Sequence, residues 1–180
     1  VTGHRSILVR GGTIVPMTER GTFFAGDVRI AGDRIAAVGP GLRPECDSEI
    51  VDAAEGLVLP GFVQTHVHVV QSLARHRAEG LPLLEWLRQR IWPYEAALTD
   101  EEAYAAARLG IAELLCGGTT AALDMGTTHS QEAVFQAAEE LGIRFTSGKC
   151  HMDLADGAPA RLIEDADRSL AEAEAVGERW

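Results

Sequence analysis

The spacing of apolar residues changes once along this chain, near residue 57. Before that point the apolar positions fall in short β-branched runs: Ile7-Leu8-Val9, Thr13-Ile14-Val15, Asp27-Val28-Arg29-Ile30 and Arg34-Ile35-Ala36-Ala37-Val38. Glycine-bearing segments, Gly11-Gly12 and Ala31-Gly32-Asp33, separate them and predict turns between strands. Glu49-Ile50-Val51-Asp52 adds another short strand. Leu57 to Thr65 is then an apolar run ending at His66, and such a run suits a strand buried on both faces.

Beyond it the period is helical. Leu83, Leu84, Leu87 and Ile91 recur at helix spacing. Thr99 to Glu102 is a capping-box pattern that opens an alanine-rich helix to about Cys116, and Gly117-Gly118 closes it. Thr119 to Asp124 is the next strand, Ser130 to Leu141 the next helix, ended by Gly142, and Ile143 to Ser147 a further strand. Leu162, Ile163, Ala166 and Leu170 mark a last helix. The order βαβαβα argues for parallel strands joined by crossover helices. An open doubly wound sheet and a closed (β/α)8 barrel both use such units. A barrel needs about 250 residues, so a barrel reading makes these residues the first part of one.

Composition narrows the function classes. With 46% hydrophobic and 24% charged residues, the chain is that of a globular protein. Its formal net charge of −11 argues against nucleic acid or an anionic membrane surface as partner. Three cysteines without CxxC spacing suggest no disulfide framework, which fits a reducing cytoplasm. No apolar stretch reaches the roughly 20 residues of a membrane helix, and the first nine residues lack a signal-peptide core. Self-association into a homo-oligomer is left open.

The candidate chemistry begins at His66 and His68. Residues i and i+2 of a strand share a face, and these two lie at a strand's C-terminal end, where active sites of barrels and open α/β sheets sit. Neutral imidazole suits zinc or ferrous iron. An HxH pair also arises by chance, as surface or core histidines.

The stretch Leu59-Pro60-Gly61-Phe62-Val63-Gln64-Thr65-His66-Val67-His68 resembles the first-strand signature of the amidohydrolase superfamily. Leu8 to Ile14, Gly32 to Gly39 and Asp52-Ala53-Ala54-Glu55-Gly56 resemble the small β-domain that flanks the barrel in these enzymes. The resemblance implies an α/β fold: the N-terminal part of a (β/α)8 metal-dependent hydrolase barrel, preceded by part of a small β-sandwich domain. The division is then a partial β-domain at 1–57 and the first βα units at 58–180. His66 and His68 would hold one divalent metal ion, zinc or iron.

Within the superfamily the chain is most similar to aminohydrolases of 5′-deoxyadenosine, S-adenosylhomocysteine and methylthioadenosine. Leu84 to Leu87, Ile91-Trp92-Pro93-Tyr94-Glu95, Gly117 to Thr120, Asp124-Met125-Gly126 and Ser147 to Asp153 carry that likeness. The resemblance implies that Glu95 holds ribose hydroxyls, a task for which a carboxylate can accept two hydrogen bonds. It implies that Gln71 reads the base edge, and that Lys149 faces the substrate's distal end where relatives carry an arginine. Lysine offers a point charge without the bidentate fork, which puts a long amino-acid tail on the substrate in doubt. His129 would line the mouth. The structural alternatives are a solvated helix-end Glu95, a polar loop Gln71, a surface His129 and a scaffolding Asp124; His4, His76 and His151 carry no assigned role.

The family's remaining ligands and its proton-transfer residues come from later strands, and no histidine follows His151. The catalytic groups are therefore expected in the missing part, and these 180 residues alone are expected to be inactive. The implied function is metal-dependent hydrolytic deamination of an adenosine-type nucleoside. Alternatives are a guanine-type or triazine-type amidohydrolase, an inactive truncated chain, or a cupin-like metal protein, which the helices argue against.

Overall fold

The computed structural model describes residues 6–154 and 156–180, so His4 lies outside the described residues. The chain divides into two compact units, one ending at Pro60 and one running Gly61–Trp180.

The first unit is a five-stranded sheet of β1 (Ser6–Ile14), β2 (Phe24–Ala31), β3 (Arg34–Gly39), β4 (Glu49–Asp52) and β5 (Leu57–Val58). The order is β3-β2-β1-β4, with β5 also paired to β1. β1 is antiparallel to β2 and parallel to β4 and β5. Gly11-Gly12, expected to be a turn, instead lies inside β1. The register slips between Val9 and Gly12, and Gly11 takes φ +77°, so glycine absorbs one extra residue as a bulge. The expected Gly32-Asp33 turn does join β2 and β3.

The apolar run from Leu57 to Thr65 is two strands, not one. Leu57–Val58 pairs with β1, and after Pro60-Gly61 a new strand, β6 (Phe62–Val67), opens the second unit. Proline cannot donate to a sheet ladder, so the run breaks there. The second unit is α/β. β6, β7 (Thr119–Asp124) and β8 (Arg144–Thr146) form a parallel sheet in the order β6-β7-β8. α1 (Leu83–Trp86), a π-turn at Leu87–Ile91 and α2 (Trp92–Ala97) precede α3 (Asp100–Cys116), and α4 (Gln131–Leu141) joins β7 to β8.

The capping box at Thr99 and Glu102 is formed in both directions. α3 buries Ala103, Ala106, Ala107, Gly110 and Ile111, a stripe at helical spacing that packs with Val134, Ala137 and Ala122. Small residues let α3 approach closely: a Cβ on Gly110 would stand 2.3 Å from Ser72 Oγ. The opposite sheet face is open. Val63 is 67% exposed and Leu123 49%, so the expected burial of the first strand on both faces is not met among the described residues.

The last helix also differs from its expected marks. α5 runs Ala166–Arg179, capped by the Asp165 side chain on Arg168 N–H. Leu162 sits before it in a single 3-10 turn and is fully buried there. Nor are Leu83 and Leu84 core residues; they are 68% and 59% exposed. No helix among the described residues is long and apolar enough to cross a membrane.

At the C-terminal edge of the parallel sheet the turns after β7 and β8 touch. Gly126 has φ +81°, and a Cβ there would fall 1.8 Å from the Gly148 carbonyl oxygen. Gly126→Ala is expected to cost about 2–4 kcal/mol, from left-handed strain plus backbone overlap. Denaturant unfolding measures this, and a loss under about 0.5 kcal/mol would show that the turns separate freely.

Candidate metal and substrate site

Three strand ends converge here. His66 lies near the end of β6 and His68 directly follows it, Asp124 ends β7, and Ser147 follows β8. The two imidazoles lie edge to face with ring centroids 5.0 Å apart. The i, i+2 spacing thus brings them side by side, as alternation along a strand requires. Burial, then the neighbouring His66, lowers the His68 pKa, with Asp124 pulling the other way. The shift favours the neutral imidazole, the form that ligates metals.

The scaffold beneath them is Asp124, 4% exposed. Its Oδ1 accepts from Val69 N–H at 2.9 Å, the residue after His68. Its Oδ2 accepts from Gly126 N–H at 2.9 Å and from Ser147 Oγ at 2.7 Å. One carboxylate therefore fastens all three strand ends. Gln131 extends the network, donating to Ser147 Oγ at 2.9 Å and accepting from Thr127 N–H at 3.2 Å. A carboxylate so committed acts as a brace. Sequence spacing could not join Ser147 and Gln131 to it.

Gln71 and Glu95, 24 residues apart, are brought together. Gln71 Nε2 donates to Glu95 Oε1 at 2.9 Å and lies 3.4 Å from His68 Nδ1. The second contact is long and therefore weak. Burial raises the Glu95 pKa, partly offset by the Gln71 hydrogen bond, and Asp124 raises it further. Tyr94 anchors this helix by donating to the Val70 carbonyl at 2.7 Å. Cys150 sits near the same carboxylates. Burial, then Glu95 and Asp124, pushes its thiol up to about 11, and it contacts the Met125 carbonyl at 3.0 Å. It stays a thiol at neutral pH, the less nucleophilic form.

Lys149 and His129 are not brought to this cluster. The Lys149 ammonium is held at 2.8 and 2.9 Å by both oxygens of Glu164, and also donates to the Thr128 carbonyl. The two side chains are 4% and 1% exposed. Ser169 Oγ donates to Glu164 at 2.9 Å and meets His151 Nδ1 at 2.9 Å, while His129 Nδ1 lies 3.8 Å from Glu164. His76 is exposed and pairs with Glu79 at 3.2 Å.

Burial alone would raise the Glu164 pKa, but Lys149 and Ser169 hydrogen bonds and the Lys149 and His129 charges outweigh it, and the net shift is downward. A depressed folded pKa means that this stabilisation is complete above the ordinary carboxylate range and disappears as pH falls through the folded value. Lys149→Met would leave Glu164 buried without its ammonium partner, held by the Ser169 hydroxyl and with His129 at 3.8 Å. The expected cost is about 3–5 kcal/mol at pH 7, shrinking toward pH 3 as Glu164 takes a proton. Equal cost at both pH values would show that packing, not charge, is what Lys149 contributes.

A metal ion has two donors here. Among the described residues no group of three or more His, Cys, Asp or Glu side chains could hold one. His66 and His68 fit as two members of a larger ligand set, since catalytic zinc sites use about three protein ligands.

The sequence profile of the amidohydrolase family matches residues 57–179. A 5-methylthioadenosine/S-adenosylhomocysteine deaminase of Symbiobacterium thermophilum is 37% identical over 166 residues, covering 91% of this chain and 37% of the relative. A 5′-deoxyadenosine deaminase of Methanothermobacter thermautotrophicus is 37% identical over 153 residues, covering 85% of this chain and 35% of the relative. Among solved structures, E. coli guanine deaminase superposes with a TM-score of 0.82 at 28% identity, over 98% of this chain and 43% of its own. The chain thus spans little more than a third of the curated relatives it matches.

Proposed function

Because the chain belongs to the amidohydrolase family, we propose that the complete protein is a hydrolase that releases ammonia from the adenine ring of an adenosine-type nucleoside. The observation that carries this reading is the side-by-side placing of His66, His68, Gln71 and Glu95 at one strand end. It pairs a metal-ligand couple with a carboxylate suited to vicinal hydroxyls. The parallel order β6-β7-β8 with α3 and α4 as crossovers supports these elements as the first units of a (β/α)8 barrel behind a small β-domain.

His66 and His68 would hold one divalent ion, zinc or iron, with residues outside this chain completing its ligand set. When bound, the ion supplies a water nucleophile activated near neutral pH. The chain's own residues do the positioning. Glu95 accepts ribose hydroxyls on the oxygen lone pairs left by its one Gln71 bond, and a partly buried carboxylate makes such bonds strong. Gln71, its amide fixed by Glu95, presents a polar edge to the base. Asp124 keeps the His68–Val69 backbone fixed, so that the imidazoles stay aimed together. Lys149, already paired, offers no uncommitted charge to a substrate carboxylate.

The test is ammonia release by the complete metal-loaded protein from 5′-deoxyadenosine, 5′-methylthioadenosine, guanine and a triazine. Adenine nucleosides should exceed guanine and triazine by about a hundredfold or more in kcat/KM, because a site built to bond ribose leaves buried polar groups unpaired without it. Guanine turnover at or above the nucleoside rate would replace this reading with the guanine-type one.

A further inference from the structure

His68 sits where the backbone stops being a strand. β6 ends at Val67, and a 3-10 segment, Val69–Ala74, begins directly after His68. His68 itself takes φ −127° and ψ 84°. That ψ falls short of the about +115° of a parallel strand, so regular sheet pairing does not set it. Two bonds do. The Val67 carbonyl accepts from Met125 N–H at 2.8 Å, and Val69 N–H donates to Asp124 Oδ1 at 2.9 Å. These groups belong to the two peptide planes that flank the His68 Cα. One dipeptide, Asp124-Met125, therefore holds both backbone dihedrals of that histidine.

What holds Asp124 lies further out, and it has a direction. Thr127 N–H donates to Gln131 Oε1 at 3.2 Å, which leaves the other end of the amide, Nε2, to donate to Ser147 Oγ at 2.9 Å. The reverse amide orientation would set two donors against each other at Thr127. A hydroxyl has one proton to give. With Gln131 donating to its oxygen, Ser147 directs that proton to Asp124 Oδ2, at 2.7 Å. Gly126 N–H reaches the same oxygen at 2.9 Å. Gln131 and Asp124 are each 4% exposed, so water does not compete for these bonds. Gln131 is itself placed by α4, whose Val134 and Ala137 are fully buried in the core shared with α3.

We propose that Gln131 is a positioning residue for the metal-ligand pair. From the first turn of α4 it orients the Ser147 hydroxyl, and Ser147 with Asp124 sets the backbone at His68 and so the aim of its imidazole beside His66. This rests on the metal part of the reading above and not on the nucleoside. Packing of a helix that carries no ligand is thereby transmitted to the ligand pair through a chain of bonds, each of which can run only one way.

The test is the zinc dissociation constant of the complete protein, measured by chelator competition, beside the unfolding midpoint of its metal-free form. Gln131→Met keeps the side-chain length and removes the donor to Ser147. It should weaken zinc binding about 10- to 100-fold, the range for losing a group that orients a metal ligand. Ser147→Ala should weaken it by a similar factor, and Ser147→Thr, which keeps the hydroxyl, should stay within about threefold. If Gln131 acts through Ser147 the two losses do not add, so Gln131→Met made in the Ser147→Ala protein should change the zinc constant less than about threefold further. A lower unfolding midpoint with an unchanged zinc constant would overturn the proposal, because Gln131 would then only support the fold. Additive losses would overturn the route through Ser147. Should Gln131→Met fail to fold, the two Ser147 variants decide: unaltered zinc binding by Ser147→Ala would overturn the proposal. Failure of the metal reading looks different: His66→Ala would keep the zinc constant of the unaltered protein.

Discussion

His66→Ala and His68→Ala, made separately in the complete protein, should each reduce bound zinc or iron to a small fraction of the unaltered protein's content and lower kcat/KM by about a thousandfold or more. The magnitude follows from losing the activated water. Metal assistance is worth several kcal/mol, and each 1.36 kcal/mol is about a factor of ten in rate. The fold should survive both changes, because His66 is exposed, His68 is only half-buried and neither appears in the apolar core. Metal analysis, ammonia assay and far-UV circular dichroism on the same samples separate the causes. Full metal content in either variant would remove these residues from the ligand set. Lost activity together with lost secondary structure would make the defect one of folding.

Glu95→Gln should divide the substrates rather than disable the protein. The side chain is half-buried and already accepts one hydrogen bond from Gln71. Glutamine keeps its volume but removes the charge and one of the two acceptor oxygens. Hydrogen bonds to a charged group contribute about 1.5–3 kcal/mol each, so kcat/KM for a nucleoside should fall about 10- to 150-fold. Adenine lacks the ribose, so its turnover, or its inhibition constant if it is not turned over, should change less than about threefold. Equal losses for nucleoside and base would mean that Glu95 acts on the ring or on the metal region and not on the sugar. Because burial holds the carboxyl pKa above its ordinary value, the ribose contact should weaken as pH falls into the carboxylate range and the group protonates. The glutamine variant should lack that pH dependence.

The sequence by itself determined the local elements wherever the signal is local. The capping box at Thr99, the left-handed Gly142 and the Gly32-Asp33 hairpin stand where residue chemistry puts them. The approach of His66 and His68 follows from period two alone, and the βα alternation follows from the change in hydrophobic period. Other decisions needed tertiary structure, because they depend on partners distant in the chain. Gly11-Gly12 reads as a turn in isolation and becomes a bulge only because β2 continues pairing past it. Lys149 is one basic residue in the sequence, and its buried pairing with Glu164, 15 residues on, is visible only in the fold. Asp124 is one acid at a strand end until Val69, Gly126 and Ser147 are seen to share it. Short-range geometry is written in spacing, whereas burial, charge pairing and register are settled by whatever the fold sets alongside.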